Sequence, residues 1–448
     1  MKVLVTGATG LVGKKLCTNL VLNGHEIIVL SRDAKTAREK LNLPGQYYSW
    51  QPAKDLAPKE AIQQCDAIIN LMGENLSSKR WSDNQKQKIT SSRIDGTKNL
   101  ANAINQYRET NLKVFISTSA VGIYKVNLAT PVAEDGEQDN GFLAHVCSEW
   151  EKASHIATKV DRIVNPRIGV VIDANEGMMA KVLPLFRLGL GGPIGFGAQK
   201  MSWIHVDDLV SIYIDALENE KITGAINAVS PQIVSNKDFS KALSKSVGIP
   251  NLFPAPTLML KIVFGEMSSL MLDSVQVIPK KLLDLNFKFK YDTIEKALDS
   301  VCDGEILETQ FIEKENSDIV RFFQDPSNLS KITPKEMNFS IIDQAPQKVE
   351  EGVELSYKFK KYGLPLKWVS KIKNLKEQSF TDIQLKGPYK KWIHEHHFFS
   401  VNNGSLIIDR VRYQMPLGPL GSIVMPLVHK DIKKVFEFRK KALNEIFK

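Results

Sequence analysis

The run Gly7-Ala8-Thr9-Gly10-Leu11-Val12-Gly13 has the composition of a loop that holds phosphate. Glycine has no Cβ, so backbone N–H groups can approach a pyrophosphate, and a helix starting from the loop adds the positive end of its dipole. Such a loop carries weight only between a buried strand and an amphipathic helix. Both flanks are present. Lys2–Thr6, with Val3-Leu4-Val5, reads as a fully buried strand. Leu11 to Asn23 has helical periodicity and stops at Gly24, and Glu26–Leu30 reads as a second buried strand. The expected chemistry is dinucleotide binding, with Gly7, Thr9, Gly10, Leu11, Val12 and Gly13 around the phosphates.

The second strand ends Val29-Leu30-Ser31-Arg32-Asp33. An acidic residue at this place holds the ribose 2′-hydroxyl of NAD, whereas an arginine pairs with the 2′-phosphate of NADP. Ser31 and Arg32 together favour NADP over NAD. In the other arrangement Arg32 faces solvent and Asp33 takes the ribose.

A second constellation is His394-Glu395-His396-His397, inside the run from Gly387 to Phe398. Three histidines and a glutamate suggest a metal. On a strand, however, His394 and His396 share a face and His397 points away. A third ligand is then missing, and no metal is expected.

These groups need elements to position them. Further buried strands are read at Ala67–Leu71, Val114–Ser117 and Arg162–Val171, with helices around Asp83–Tyr107 and Ala144–Thr158. Strands alternating with helices predict an α/β fold, a Rossmann doubly wound parallel sheet covered on both faces. From about 178 to 300 the chain is rich in Gly and Pro, as suits a small α/β substrate lobe. Near Asp303-Gly304 the character changes. Val353–Phe359, Trp368–Leu375, Phe380–Leu385, His394–Val401 and Leu406–Met415 alternate apolar and polar residues, the pattern of antiparallel strands with one wet face. A long amphipathic helix, about Pro426 to Phe447, follows. The expected organisation is a nucleotide-binding domain over 1–305 and an α+β domain over 306–448.

Composition agrees. A chain of 448 residues is too long for one ordinary core, and 43% apolar with 24% charged residues fits a globular protein. Cys17, Cys65, Cys147 and Cys302 form no CxxC pair, which argues against a disulfide framework and fits a reducing compartment. The net charge is +9, of which roughly +6 lies after residue 304. That excess reads as a solvated lysine surface, and nucleic acid is not an expected partner. With the glycine loop starting at Gly7, no room is left for a signal peptide. No apolar run reaches the length of a membrane span. A cytoplasmic location is expected.

The residues also resemble a known family. The spacing Gly7…Gly10…Gly13 is that of the extended, epimerase-like short-chain dehydrogenase/reductases. Asn70-Leu71-Met72-Gly73-Glu74-Asn75, Arg80-Trp81, Ser92-Arg93, Thr97, Arg187 to Gly192, Trp203-Ile204-His205-Val206-Asp207-Asp208 and Val277-Ile278-Pro279-Lys280 narrow it. They look like the subfamily labelled nucleoside-diphosphate-sugar epimerase or cell-division-inhibitor-like, over about residues 1–300. The resemblance implies that Leu71, Met72 and Gly73 pass under the adenosine part of the cofactor, that Arg93 reaches it from the next helix, and that Val171 lies beside the nicotinamide. It also implies a Tyr-x-x-x-Lys pair on a helix and a serine on a nearby strand. The lysine lowers the tyrosine pKa so that the phenolate can take a proton. Ser119, in Ser117-Thr118-Ser119-Ala120, matches the serine. The pair is missing: the helix reads Phe142-Leu143-Ala144-His145-Val146-Cys147-Ser148-Glu149-Trp150-Glu151. Tyr124 or His145 can stand in, the reaction can rely on positioning, or the domain binds its cofactor without turnover. On the substrate side the resemblance places Glu74, Trp81, Gln199, Trp203 and His205. Alternatively Trp203-Ile204-His205 is a strand whose Asp207-Asp208 cap the next helix.

The second half is similar to the polyketide-cyclase/START-like superfamily. Phe311, Val320 to Phe323, Asp325 to Leu329, the run from Gly387 to Phe398, and Asp409 to Gly418 carry the likeness. It implies a helix-grip fold, an antiparallel sheet around a long C-terminal helix, binding a small apolar ligand. The whole reads as an NADP-dependent oxidoreductase or epimerase-like enzyme acting on a small-molecule substrate, or else as a module that senses NADP(H) and a ligand.

Overall fold

The structure is a computed structural model, and it describes residues 1–174, 176–251, 253–342, 348–361, 363–416 and 418–448. Leu417, at the edge of the C-terminal motif, lies outside them. Chain contacts divide the protein into two units: Met1–Leu41 with Gly45–Ser300, and Asn42–Pro44 with Val301–Lys448.

The first unit is built on a parallel sheet. Its strands are β1 (Lys2–Thr6), β2 (Glu26–Ser31), β3 (Gln46–Ser49), β4 (Ala67–Asn70), β5 (Val114–Ser117), β6 (Ser119–Ala120) and β7 (Ile163–Ile168), joined by Gly224–Ala228. From one edge the order is β3, β2, β1, β4, β5, β7 and then Gly224–Ala228, with β6 also paired to β7. The order reverses between β1 and β4, and ligands of such sheets bind in the crevice at that switch point. Helices α1 (Leu11–Leu22), α2 (Ala34–Leu41), α3 (Lys59–Gln64), α4 (Asp83–Tyr107) and α5 (Phe142–Ser154) connect these strands. On one face of the sheet, Leu4, Ile28, Ile68 and Phe115 pack on Ile62, Leu100 and Ile104. The expected helix at Asp83–Tyr107 has those bounds; β3 was not read from the sequence. The single strand expected over Arg162–Val171 is two strands, because the chain turns at Gly169 from β7 into β8 (Val170–Ile172).

The rest of the unit is smaller pieces. β9 (Lys200–Met201) pairs with Val234–Ser235, and β10 (Trp203–His205) pairs in parallel with β8. Helices α6 (Gly177–Arg187) and α7 (Val206–Glu218) flank them.

The second unit is one antiparallel sheet and a long helix. Gly304–Ile312, Ser340–Ile341, Glu354–Lys361, Leu364–Lys376, Ser379–Lys386, Lys391–Val401 and Gly404–Gln414 form seven strands; the first pairs with the last and the others follow as a meander. The helix Pro419–Ile446 starts seven residues before the expected Pro426, a proline it carries inside. Met425, Ile432 and Phe436 pack with Ile306, Val411 and Tyr413, and Leu443 packs with Ile372, Phe380 and Phe398. The strand register brings Asp409 directly opposite His396. The sequence reading of the histidine run considered one strand alone, and the register adds this carboxylate from the neighbouring strand. Among the described residues no helix is long and apolar enough to cross a membrane.

Candidate functional site

Parallel pairing lines up Leu30, Thr6, Asn70 and Ser117 in one row at the C-terminal ends of β2, β1, β4 and β5. The residues that follow them open on the crevice. Gly7 adopts φ +67, and a Cβ there would stand 2.8 Å from the carbonyl carbon and oxygen of Leu71. Only glycine lets the loop pass this close to the end of β4. Gly13 is tighter, since its Cβ would lie 2.3 Å from the Gly7 oxygen. The turn closes with Gly10 N donating to Gly7 O at 3.0 Å. Gly10 is the N-cap of α1, no side chain caps it, and the first turn contains no acidic residue. The N–H groups of that turn therefore face a place suited to an anion. Thr9, Leu11 and Val12 are partly exposed beside it, as are Ser31, Leu71 and Val171. The cradle fits the pyrophosphate of a dinucleotide.

The end of β2 separates its two candidate ribose ligands. Oδ1 of Asp33 accepts from Thr36 N at 3.0 Å, and Oδ2 accepts from Thr36 Oγ1 at 2.6 Å. Asp33 is thus held at the start of α2, and these hydrogen bonds keep its carboxyl below the usual range. Arg32 is exposed, with no hydrogen bond or ion pair to another described residue.

A buried polar network holds the crevice floor. Thr6 Oγ1 donates to Asn70 Oδ1 at 2.7 Å, and Asn70 Nδ2 donates to Thr97 Oγ1 at 2.9 Å and Ser117 Oγ at 3.1 Å. Trp150 Nε1 also reaches Thr97 Oγ1, at 3.0 Å. Five side chains thereby tie β1, β4, β5, α4 and α5 together, each with a partner among the described residues. Asn70 and Thr97 belonged to the quoted motifs, but their partners are far away in sequence, so their roles were missed. Arg93 lies over the Trp150 ring at 5.1 Å and donates to Glu74 O at 3.0 Å. Met72 is buried and Gly73 exposed.

Ser119 is 1% exposed, and its Oγ has no hydrogen-bond partner among the described residues. It stands in β6 opposite Arg167 of β7. An unmet buried hydroxyl costs roughly 1–3 kcal/mol, which a bound partner would offset.

Tyr124, expected as a stand-in acid/base, is engaged inside the protein. Its hydroxyl donates to Asn227 Oδ1 at 2.7 Å and accepts from Arg167 Nη1 at 2.6 Å, and the residue is fully buried. Burial pushes its pKa up, against the opposing pull of Arg167. That is the opposite of what a proton-abstracting phenolate needs, and the hydroxyl already has its partners. Arg167 is itself clamped by Glu151 at 2.8 and 2.9 Å. His145 is exposed on α5.

Two residues expected on the substrate side are buried in the structure. Trp203 is 0% exposed, inside β10. His205 is 4% exposed, and its Nδ1 accepts from Asp207 N at 3.1 Å, so the histidine itself caps α7. Its Nε2 is 3.1 Å from Ser300 Oγ and its ring lies on Tyr291, centroids 3.7 Å apart. Burial lowers its pKa to about 4. The expected strand at 203–205 is present, but Asp208 accepts from the backbone N–H groups of Lys290 and Tyr291 instead of capping α7. Glu74, Trp81 and Gln199 remain partly exposed. Glu74 Oε1 is 3.4 Å from Gln85 Nε2, Trp81 meets Phe142 edge-on at 5.5 Å, and Gln199 donates to the carbonyls of Ile194 and Met271 at 3.4 and 3.3 Å.

Comparison with known proteins points the same way. Residues 3–228 match the NAD dependent epimerase/dehydratase family, and residues 255–301 match a domain of unknown function, DUF1731. The epimerase family protein YfhF of Bacillus subtilis is 35% identical over 300 residues, covering 66% of this chain and 97% of its own. The human epimerase family protein SDR39U1 (isoform 2), solved with NADPH, is 31% identical with a TM-score of 0.61, over 67% of this chain and 99% of that one. A nucleoside-diphosphate sugar epimerase from Corynebacterium glutamicum is 32% identical with a TM-score of 0.54, over 66% of this chain and 57% of that one. The chain belongs to the NAD dependent epimerase/dehydratase family.

Proposed function

We propose that the first unit is an NADPH-dependent oxidoreductase that passes a hydride to a small-molecule acceptor held at Ser119. NADPH, when bound, supplies the hydride. The glycine loop and the first turn of α1 take the pyrophosphate, Ser31 and Arg32 take the 2′-phosphate, and Leu71, Met72, Gly73, Arg93 and Val171 border the rest of the cofactor. The NADPH in the human relative supports the choice of cofactor. The buried, unmet Oγ of Ser119 carries the reading of turnover, because it is free to hydrogen-bond the oxygen on which charge develops. Glu74, Trp81 and Gln199 lie on the substrate side. With Tyr124 engaged elsewhere and no Tyr-x-x-x-Lys pair, catalysis rests on positioning and electrostatics more than on a strong acid.

The same absence of an acid favours a second reading, a module that binds NADP(H) without turnover. Stopped-flow and steady-state assays of NADPH oxidation against a panel of carbonyl and enone compounds separate the two. Turnover with any member supports the enzyme, and tight cofactor binding with none supports the sensor.

The second unit is read as a START-like, helix-grip domain holding a small apolar molecule. The support is a seven-stranded antiparallel sheet whose buried side chains pack on the helix Pro419–Ile446.

A further inference from the structure

Three buried side chains of the second unit converge, and nothing above uses them. Nε2 of His394 lies 2.9 Å, and Nδ1 of His396 2.8 Å, from Oδ1 of Asp409. One ligand-type atom from each residue lies within 4.8 Å of the other two, and all three residues are buried. The sheet dictates the arrangement. Residues two apart on a strand share a face, and Asp409 is the cross-strand neighbour of His396. Packing fixes the rings: His396 stacks on Phe380 with centroids 4.4 Å apart, and His394 meets Phe436 edge-on at 5.7 Å.

Hydrogen bonds account for only part of this convergence. His394 Nε2 at 2.9 Å and Arg439 Nη1 at 3.2 Å both donate to Asp409 Oδ1. Nδ1 of His396 is just as near, yet it makes no hydrogen bond of ordinary geometry among the described residues. An imidazole nitrogen and a carboxylate oxygen both present lone pairs, and a cation between them would relieve their repulsion. A further acceptor is at hand. Asp382 pairs across the strands with His394, and its buried Oδ1 has no hydrogen-bond partner among the described residues.

We propose that His394, His396 and Asp409 bind a divalent transition metal ion. Two imidazoles and one carboxylate suit zinc or ferrous iron, and three protein ligands leave a position open. Asp382, the cross-strand neighbour of His394, adds a further carboxylate on the strand beside the site. Arg439 tunes the site: its guanidinium shares the Asp409 carboxylate, so a metal must bind beside a positive charge and is held more weakly than by the three ligands alone.

The test uses the full chain, stripped with a chelator and titrated with Co2+, whose visible absorption reports nitrogen and oxygen ligation, followed by competition with Zn2+. One equivalent of Co2+ should give visible bands that one equivalent of Zn2+ removes. His396→Ala and Asp409→Asn should each weaken binding by about tenfold or more, as losses around metal sites do. Arg439→Met should tighten it. A folded wild-type chain that binds no stoichiometric Co2+ overturns the proposal, as does binding that both ligand variants leave intact. If the ligand variants fail to fold by circular dichroism, Arg439→Met decides: tighter binding supports the site, and unchanged or weaker binding with the fold retained overturns it.

Discussion

The carboxylate of Asp33 accepts both the backbone N–H and the hydroxyl of Thr36, at 3.0 and 2.6 Å. This pairing decides what the end of β2 offers to a ribose. The acidic group that selects NAD in many such folds is spent on capping a helix, and an exposed arginine stands next to it. This local capping interaction supports the proposed choice of NADPH over NADH.

Ser119→Ala removes a hydroxyl that has no hydrogen-bond partner among the described residues. Stability should therefore change little or rise slightly, since an unmet buried group is lost. Turnover with any acceptor found in the panel should fall by about a hundredfold to a thousandfold, the range for one donor to a developing oxyanion. NADPH affinity should stay within about twofold. Steady-state kinetics and a fluorescence titration on the same variant check both halves. An unchanged kcat would remove Ser119 from the reaction.

Tyr124→Phe should behave in the opposite way. It strips Arg167 Nη1 and Asn227 Oδ1 of a shared partner in a buried site, which costs roughly 1–3 kcal/mol. Urea unfolding should show that loss, while kcat retains most of its value. A large fall in kcat with full stability would restore the tyrosine as a proton-transfer group.

His205 makes stability depend on pH. Burial lowers its pKa from 6.5 to about 4, so the folded state favours the neutral ring. That contribution is fully present above pH 6.5 and is lost as the pH falls toward 4. Its size is about 3 kcal/mol at most. His205→Asn keeps a capping side chain at the start of α7 but cannot take up the proton. Between pH 7 and about pH 4.5 the wild type should lose more unfolding free energy than the variant. Parallel pH dependences in urea titrations of the two chains would contradict this.

What the sequence disclosed was what neighbours in the chain decide. The loop from Gly7 to Gly13 lies between a strand and a helix that it connects directly, so periodicity and glycine spacing sufficed. Ser31 and Arg32 follow at the end of the next strand. What the sequence did not disclose was long-range. Tyr124 looked available until Arg167 and Asn227, 43 and 103 residues away, took its hydroxyl. His205 and Trp203 looked like pocket residues, but Tyr291 and Ser300 cover the histidine, and the tryptophan lies inside β10 with no exposed surface. Asp409 became a neighbour of His396 only through the register of two strands. The antiparallel strands themselves were legible from alternation, because alternation records one buried face whatever pairs beside it.

The most direct test of the account is a fluorescence titration of the purified chain with NADPH and NADH, repeated for Arg32→Ala. The account predicts that wild type binds NADPH at least about tenfold more tightly than NADH, the scale of one charge-assisted phosphate contact, and that the variant loses most of that difference through weaker NADPH binding. Equal affinities in wild type, or a preference that Arg32→Ala leaves intact, would contradict it.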